Sequence, residues 1–305
     1  MARALTSILS IVALTGFLRG QLEPGSPSAA GMSQAQLERA SGLIQAEVES
    51  GRMGAAAILV ARHGRVVLHH SFGRLSPAPD APVVLPDSVF LLASITKPIT
   101  ACALMLLVER GQVSLSDSVS HYLPEFSGGE RDKVLVRDLL RHTSGLPDML
   151  PGNIDLRRAH APLSEFLRRT STTPLLFPPG SQFSYQSMGI LLAAEIVERR
   201  TGTRLRDFEK AEIFDPLGMK DSSLGLGGRR TSDLVICPPT PGYDPADDER
   251  FGPNSLYWRD LGTPWGGMHS TTTDLAILLH TFLDGGMYGG KQVFSPATVK
   301  AMTSD

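Results

Sequence analysis

The stretch "GAAAILVARHGRVVLHHSFG", Gly54 to Gly73, sets the first constraint on the fold. Two strand-length apolar runs bearing Val and Ile flank His63-Gly64, and that pattern predicts a β-hairpin. His69 and His70 are adjacent on its second strand, so their side chains must face opposite ways. A two-stranded hairpin is marginal in water by itself. It needs further strands or a helical layer against it. A helix is available just upstream: Ser33 with Gln36 forms a capping box, Leu37, Ile44 and Val48 mark one face, and Gly51 stops it.

After the hairpin the chain reads as mainly helical, which makes the fold class α+β. A greasy helix opens at Ser94, runs to about Arg110 and ends at Gly111. "VRDLLRH", "SEFLRR" and "GILLAAEIVERRTG" are further amphipathic helices. Residues 225–264 carry Gly, Pro and Asp throughout and little periodicity, so they read as one long loop. Thr271 with Asp274 caps another helix, and Ser295-Pro296 opens one more. No repeat is visible. Nothing after Phe294 supplies the additional strands that the hairpin wants.

Composition removes several function classes. A net charge of -2, with Arg and Lys scattered in pairs, gives no basic stripe for nucleic acid or an anionic membrane. The two cysteines, Cys102 and Cys237, have no CxxC spacing. The eight histidines lack H-x-x-x-H or H-E-x-x-H spacing, so neither a metal nor another cofactor is expected. Near the start, one Arg precedes an apolar run from Ala4 to Leu18. That run is short for a membrane span and suits a secretory leader, with a linker of Pro, Gly, Ser and Ala through residue 32. The expected location is secreted or periplasmic.

The chemistry centres on "LLASITKPIT". Ser94 and Lys97 are three apart and share a helical face. The first turn of a helix offers unpaired N–H groups and a positive dipole end. A serine hydroxyl there can attack a carbonyl while its own N–H steadies the oxyanion. A dehydrated amine beside it can act as the base, because burial disfavours the charged form. Standing alone, the same pair reads first as a capping serine and a snorkelling lysine.

Longer strings decide between those readings. "SITKPITA", "GQVSLSDSVSHYLPEF", "VRDLLRHTSGLPD", "FPPGSQFSYQSMGILLAAEIVERRTG", "IFDPLGMKDSSL" and "GGMHSTTTDLA" occur in this order. Together they resemble the class C-like branch of the serine β-lactamase/penicillin-binding-protein superfamily, over most of Met32 to Asp305. The resemblance implies a β-lactamase/transpeptidase-like fold: an antiparallel sheet flanked by helices, with a mostly helical region, residues 114–268, inserted in a domain spanning 33–305. It implies that Ser94 is the acylated nucleophile, Lys97 its proton partner and Tyr185 the tyrosine of the Y-x-N motif. Ser187 stands where that motif normally has Asn, as a substrate-binding position. A hydroxyl is shorter than an amide and makes fewer hydrogen bonds, which weakens amide recognition there. His142 and Ser144 in "RHTSGLP" read as loop-fixing.

The branch's third motif, K-T-G or H-x-G, lies on a strand that this chain does not reach. Trp265-Gly266-Gly267 mimics W-x-G as a string but precedes the "TTTDLA" landmark, so it reads as a chance likeness. The expectation is therefore a chain truncated at its C-terminus, lacking the family's C-terminal strands. The expected function is acyl-enzyme hydrolysis of a small-molecule ester, amide, β-lactam or D-amino-acid peptide, with esters first. A β-lactamase or D-Ala-D-Ala carboxypeptidase is the alternative, and a non-catalytic binding member the different-class one. The oligomeric state is not legible.

Overall fold

A computed structural model describes residues 20–304. The apolar run Ala4–Leu18 lies outside the described residues. The hairpin forms as the spacing requires: β2 (Ala55–Arg62) pairs antiparallel with β3 (Arg65–Gly73). His63 and Gly64 both take positive φ, 52° and 74°, the backbone demanded by the tightest right-twisted hairpin turn. The third strand comes from the stretch read as linker. β1 (Glu23–Pro24) runs parallel to β3, giving the order β1-β3-β2. Its two residues carry no period for sequence reading to detect.

The two histidines show how the sheet is covered. His70 Nδ1 meets the Ser41 hydroxyl on α1 (Gln34–Glu49) at 2.8 Å. His69 Nε2 meets Thr272 Oγ1 at 3.0 Å, on the helix Thr272–Leu283. Adjacent residues thus bind helices on opposite faces of the sheet, as the strand's two-residue period dictates.

A second small sheet positions the chemistry. β4 (Phe90–Leu91), β5 (Ser223–Leu224) and β6 (Met268–Ser270) lie in the order β4-β6-β5, with β6 antiparallel to both neighbours. β4 leads into a 3₁₀ turn, Ala93–Ile95, and then α2 (Thr96–Glu109). Serine does not cap α2; it sits in the 3₁₀ turn before it. α2 is apolar nearly all round and is correspondingly buried. Ala103, Leu104 and Leu107 are fully enclosed, as are Leu192, Ala193 and Ile196 on the helix Met188–Thr201, in the same core cluster. Each buried leucine there stabilises by about 1.5–3 kcal/mol.

Residues 225–264 are not one irregular loop. They hold the helices Pro245–Phe251 and Leu256–Leu261. Asp244 accepts from Ala246 N at 2.9 Å, and Ser255 accepts from Trp258 N at 3.1 Å. These caps start helices too short to display a 3.6-residue period, which is why periodicity overlooked them.

Candidate active site

Ser94 is reached through an unusual backbone. Ala93, immediately before it, has φ +46°, a conformation costly for a residue with a Cβ. Strain of this kind persists only where the surroundings over-determine it. Here β6 supplies the clamp. Leu92 N donates to Met268 O at 2.8 Å, and Met268 N donates to Thr96 Oγ1 at 3.0 Å. The 3₁₀ turn is therefore held on both sides of Ser94, which remains exposed.

Lys97 lies one turn on and is 5% exposed. Its Nζ donates to Ser94 Oγ at 3.0 Å and to the Trp265 carbonyl at 3.0 Å. The segment before β6 makes this second contact possible. Gly266 N and Gly267 N both donate to Thr263 O, at 3.0 and 2.7 Å. A Cβ on Gly267 would stand 2.4 Å from Thr263 N, so the turn requires glycine. Thr100 Oγ1 donates to Pro264 O at 2.8 Å and pins the same strap one turn further along α2. The string "PWGG" is thus brought to the Ser94 turn, through a backbone carbonyl and not as a W-x-G strand.

Tyr185 presents its ring to the amine: Lys97 Nζ is 4.7 Å from the ring centroid. The ring is also 4.9 Å from that of His142. His142 takes φ +59° and accepts a hydrogen bond from Gln186 N on Nδ1 at 3.2 Å. Ser144 donates to Gln186 Oε1 at 2.6 Å, and Gln186 Nε2 donates to Asp138 O at 3.2 Å. So the "RHTSGLP" loop and the Tyr185–Ser187 segment are tied together by the glutamine between them. Gly145 at φ +82° lets this loop pass Phe177 O, which a Cβ would approach to 2.4 Å. Burial, and then the Lys97 charge, hold the His142 imidazole below its ordinary value, with Asp148 opposing.

Ser187 is 1% exposed, and its hydroxyl donates to Asp148 Oδ1 at 2.6 Å. The structure therefore sets Ser94 and the Tyr185 ring each against the Lys97 amine, while Ser187 engages Asp148. Sequence reading overlooked four participants: the Trp265 carbonyl, the Ala93 backbone, Gln186 and Asp148. Only Asp148, as a charged residue closing a "GLPD" turn, offered any signal in the sequence. Among the described residues there is no group of three or more His, Cys, Asp or Glu placed to hold a metal ion. No described helix is long and apolar enough to cross a membrane. Cys102 and Cys237 are both free, the first buried.

A family model described as Beta-lactamase matches residues 40–305. Esterase EstB of Burkholderia gladioli is 35% identical over 213 residues, which are 64% of this chain and 53% of the esterase. Penicillin-binding protein 4* of Bacillus subtilis (strain 168) is 34% identical over 170 residues, 54% of this chain and 37% of that protein. The chain thus spans about half or less of the length of these two relatives. A crystal structure of a penicillin-binding protein homolog from Caulobacter crescentus superposes with a TM-score of 0.71 at 26% identity, covering 88% of this chain and 75% of the other.

Proposed function

The chain belongs to the Beta-lactamase family, and on that premise we propose that it is a serine hydrolase working through an acyl-enzyme, with esters as its preferred substrates. One observation carries the reading. A lysine amine that is 5% exposed has a serine hydroxyl at 3.0 Å, a backbone carbonyl at 3.0 Å and no carboxylate among its hydrogen-bond partners. An amine so enclosed is positioned to exchange a proton with the hydroxyl.

Ser94 Oγ bonds to the substrate carbonyl carbon as its proton passes to Lys97 Nζ. The carbonyl oxygen becomes an oxyanion, and the N–H of Ser94, at the start of its helical turn, faces no intrahelical acceptor and is free to stabilise it. The tetrahedral adduct collapses and expels the leaving group, which takes up the proton, with Tyr185 against the amine assisting the transfer. Water then adds to the acyl carbon, giving one proton to Lys97 Nζ, and Ser94 Oγ leaves and takes that proton from the amine. The Trp265 carbonyl holds the amine in place throughout.

Esters come first because the Ser187 position, 1% exposed and with its hydroxyl given to Asp148, presents no amide side chain to a substrate amide. Likeness to an esterase over 64% of the chain supports the same choice. β-Lactamase or D-Ala-D-Ala carboxypeptidase activity is the second reading. A secreted or periplasmic location belongs to this proposal and rests on the leader-like run Ala4–Leu18. The test sets a chromogenic short-chain ester beside a chromogenic cephalosporin, with wild type and Ser94→Ala. Ester turnover that Ser94→Ala abolishes is expected. Equal labelling of both proteins by a fluorophosphonate would overturn the enzyme reading in favour of a non-catalytic binding protein.

A further inference from the structure

We propose that Thr100 is a positioning residue of this site, holding the Pro264–Trp265 strap in register with the Lys97 amine, and that the buried Glu209 carboxyl competes for the Thr100 hydroxyl and so makes the hold depend on a proton. The assignment rests on the hydrolase reading for its effect on turnover, but its geometry stands separately. Two side chains three residues apart on α2 grip two successive carbonyls. Lys97 Nζ donates to Trp265 O at 3.0 Å, and Thr100 Oγ1 donates to Pro264 O at 2.8 Å. Just before them, Thr96 Oγ1 accepts from Met268 N at 3.0 Å. The strap's own polar side chains add no hold, since Thr263 Oγ1 and Trp265 Nε1 are buried without a partner. Contacts to Thr96, Lys97 and Thr100 therefore fix where the Trp265 carbonyl stands.

Glu209 makes that hold conditional. It ends the helix Leu205–Glu209, which packs on α2, and it is fully buried. Among the described residues its Oε1 meets only Thr100 Oγ1, at 3.4 Å, and its Oε2 has no partner. A hydroxyl has one proton to give. A neutral carboxyl can donate its own proton to Thr100 Oγ1, which leaves the hydroxyl proton for Pro264 O. A carboxylate cannot donate, and it is the stronger acceptor, because charge-assisted hydrogen bonds are roughly twice as strong as neutral ones. Ionised Glu209 therefore draws the hydroxyl to itself and releases Pro264 O. Burial raises this carboxyl to about 8, within reach of an enzyme assay. The ionisable groups of the packed elements are engaged elsewhere or neutral. On α2, Lys97 serves Ser94 and Trp265, and burial, then Glu209, raises the Cys102 thiol. On the helix Met188–Thr201, Glu195 pairs with Arg199 and Glu198 accepts from Leu205 N. Around Glu209 itself, Arg206 donates to Asp260 O, while Asp207, Lys210 and Glu212 pair with Arg204, Asp215 and Arg110. The strap and β5 carry no titratable side chain.

The experiment follows ester kcat and KM from about pH 6 to pH 9, with intrinsic fluorescence recorded in parallel without substrate. Trp258 and Trp265 are the chain's two tryptophans and lie 6.5 Å apart, so their emission reports on the strap. Glu209→Gln has an amide that can donate to Thr100 but cannot ionise. Wild type should match it at pH 7. Above that, wild-type kcat should fall about tenfold below it, with KM held, far-UV circular dichroism constant, and an emission change at the same midpoint near 8. Glu209→Gln should show no emission change. Thr100→Val should lower kcat about tenfold already at pH 7, with KM unchanged, and Thr100→Ser should restore it. A wild-type profile that Glu209→Gln reproduces, a fall that accompanies loss of the far-UV signal, or a Thr100→Val protein as active as wild type overturns the proposal. If the emission change and its loss in Glu209→Gln are seen while wild type turns over no ester, the hydrolase reading fails and the Thr100–Glu209 hold stands.

Discussion

Lys97 and Trp265 are separated by 168 residues, yet the lysine amine donates to the tryptophan carbonyl at 3.0 Å. That contact and the one to Ser94 Oγ fix the amine between the proposed nucleophile and a neutral anchor. Replacing the lysine by an apolar side chain of similar length removes the proposed proton acceptor and little of the packing. Lys97→Met should therefore lower kcat on an ester by about 10³-fold while thermal stability holds or rises, because an apolar side chain costs less to bury than an amine. Parallel kcat and Tm measurements check this; loss of folding with loss of activity would make the lysine structural.

The Ala93 backbone gives a second expectation. At φ +46° an alanine is strained by about 1–2 kcal/mol, and glycine relieves that strain at an entropic cost of about 0.5–1 kcal/mol. Ala93→Gly should be nearly neutral in denaturant unfolding. Ala93→Val, with a branched Cβ in the same conformation, should cost about 2 kcal/mol or more and reduce turnover.

His269 governs the acid side of stability. It is fully buried on β6, its Nδ1 meets Gly225 O at 3.0 Å, and its Nε2 has no partner. Burial, then the Arg259 charge, pulls the imidazole down to about 4 from 6.5. The unfolded chain thus binds this proton first as pH falls. The stability at stake is complete above pH 6.5 and is lost as pH drops to 4, up to about 3 kcal/mol. His269→Asn keeps a donor for Gly225 O and should flatten that part of the stability curve.

Glu209 acts in the opposite direction. It is fully buried, its Oε1 is 3.4 Å from Thr100 Oγ1, and its Oε2 has no partner. Burial raises the carboxyl to about 8 from 4.5. The folded protein therefore retains a proton that the unfolded chain has released. Its stability contribution is complete below pH 4.5 and is lost as pH climbs through 8. Glu209→Gln should exceed wild type in stability by about 2 kcal/mol or more at pH 8 and converge with it near pH 4.5. Subtracting each variant's curve from wild type separates this slope from that of His269.

What the sequence disclosed and what it hid follow from range. The Ser94–Lys97 contact was legible because three-residue spacing at the start of a helix is local. The hairpin around His63-Gly64, the Ser33 cap and the Thr271 cap were legible for the same reason. β1 was hidden because its pairing joins Glu23 to Arg65 with only two residues of strand. The helices Pro245–Phe251 and Leu256–Leu261 were hidden by their brevity. The Trp265 anchor is a backbone carbonyl, which no side-chain motif can encode, and Ala93 bears a strain that nothing about alanine announces.

Covalent capture of an acyl group by Ser94 is the step on which the proposed hydrolysis depends. Intact-mass and peptide-level mass spectrometry after brief exposure to an activated ester, quenched in acid, tests it directly. A stoichiometric acyl adduct mapped to the Ser94 peptide, absent in Ser94→Ala and accumulating slowly in Lys97→Met, is the predicted result. An adduct on some other residue, or equal modification of Ser94→Ala, would contradict it.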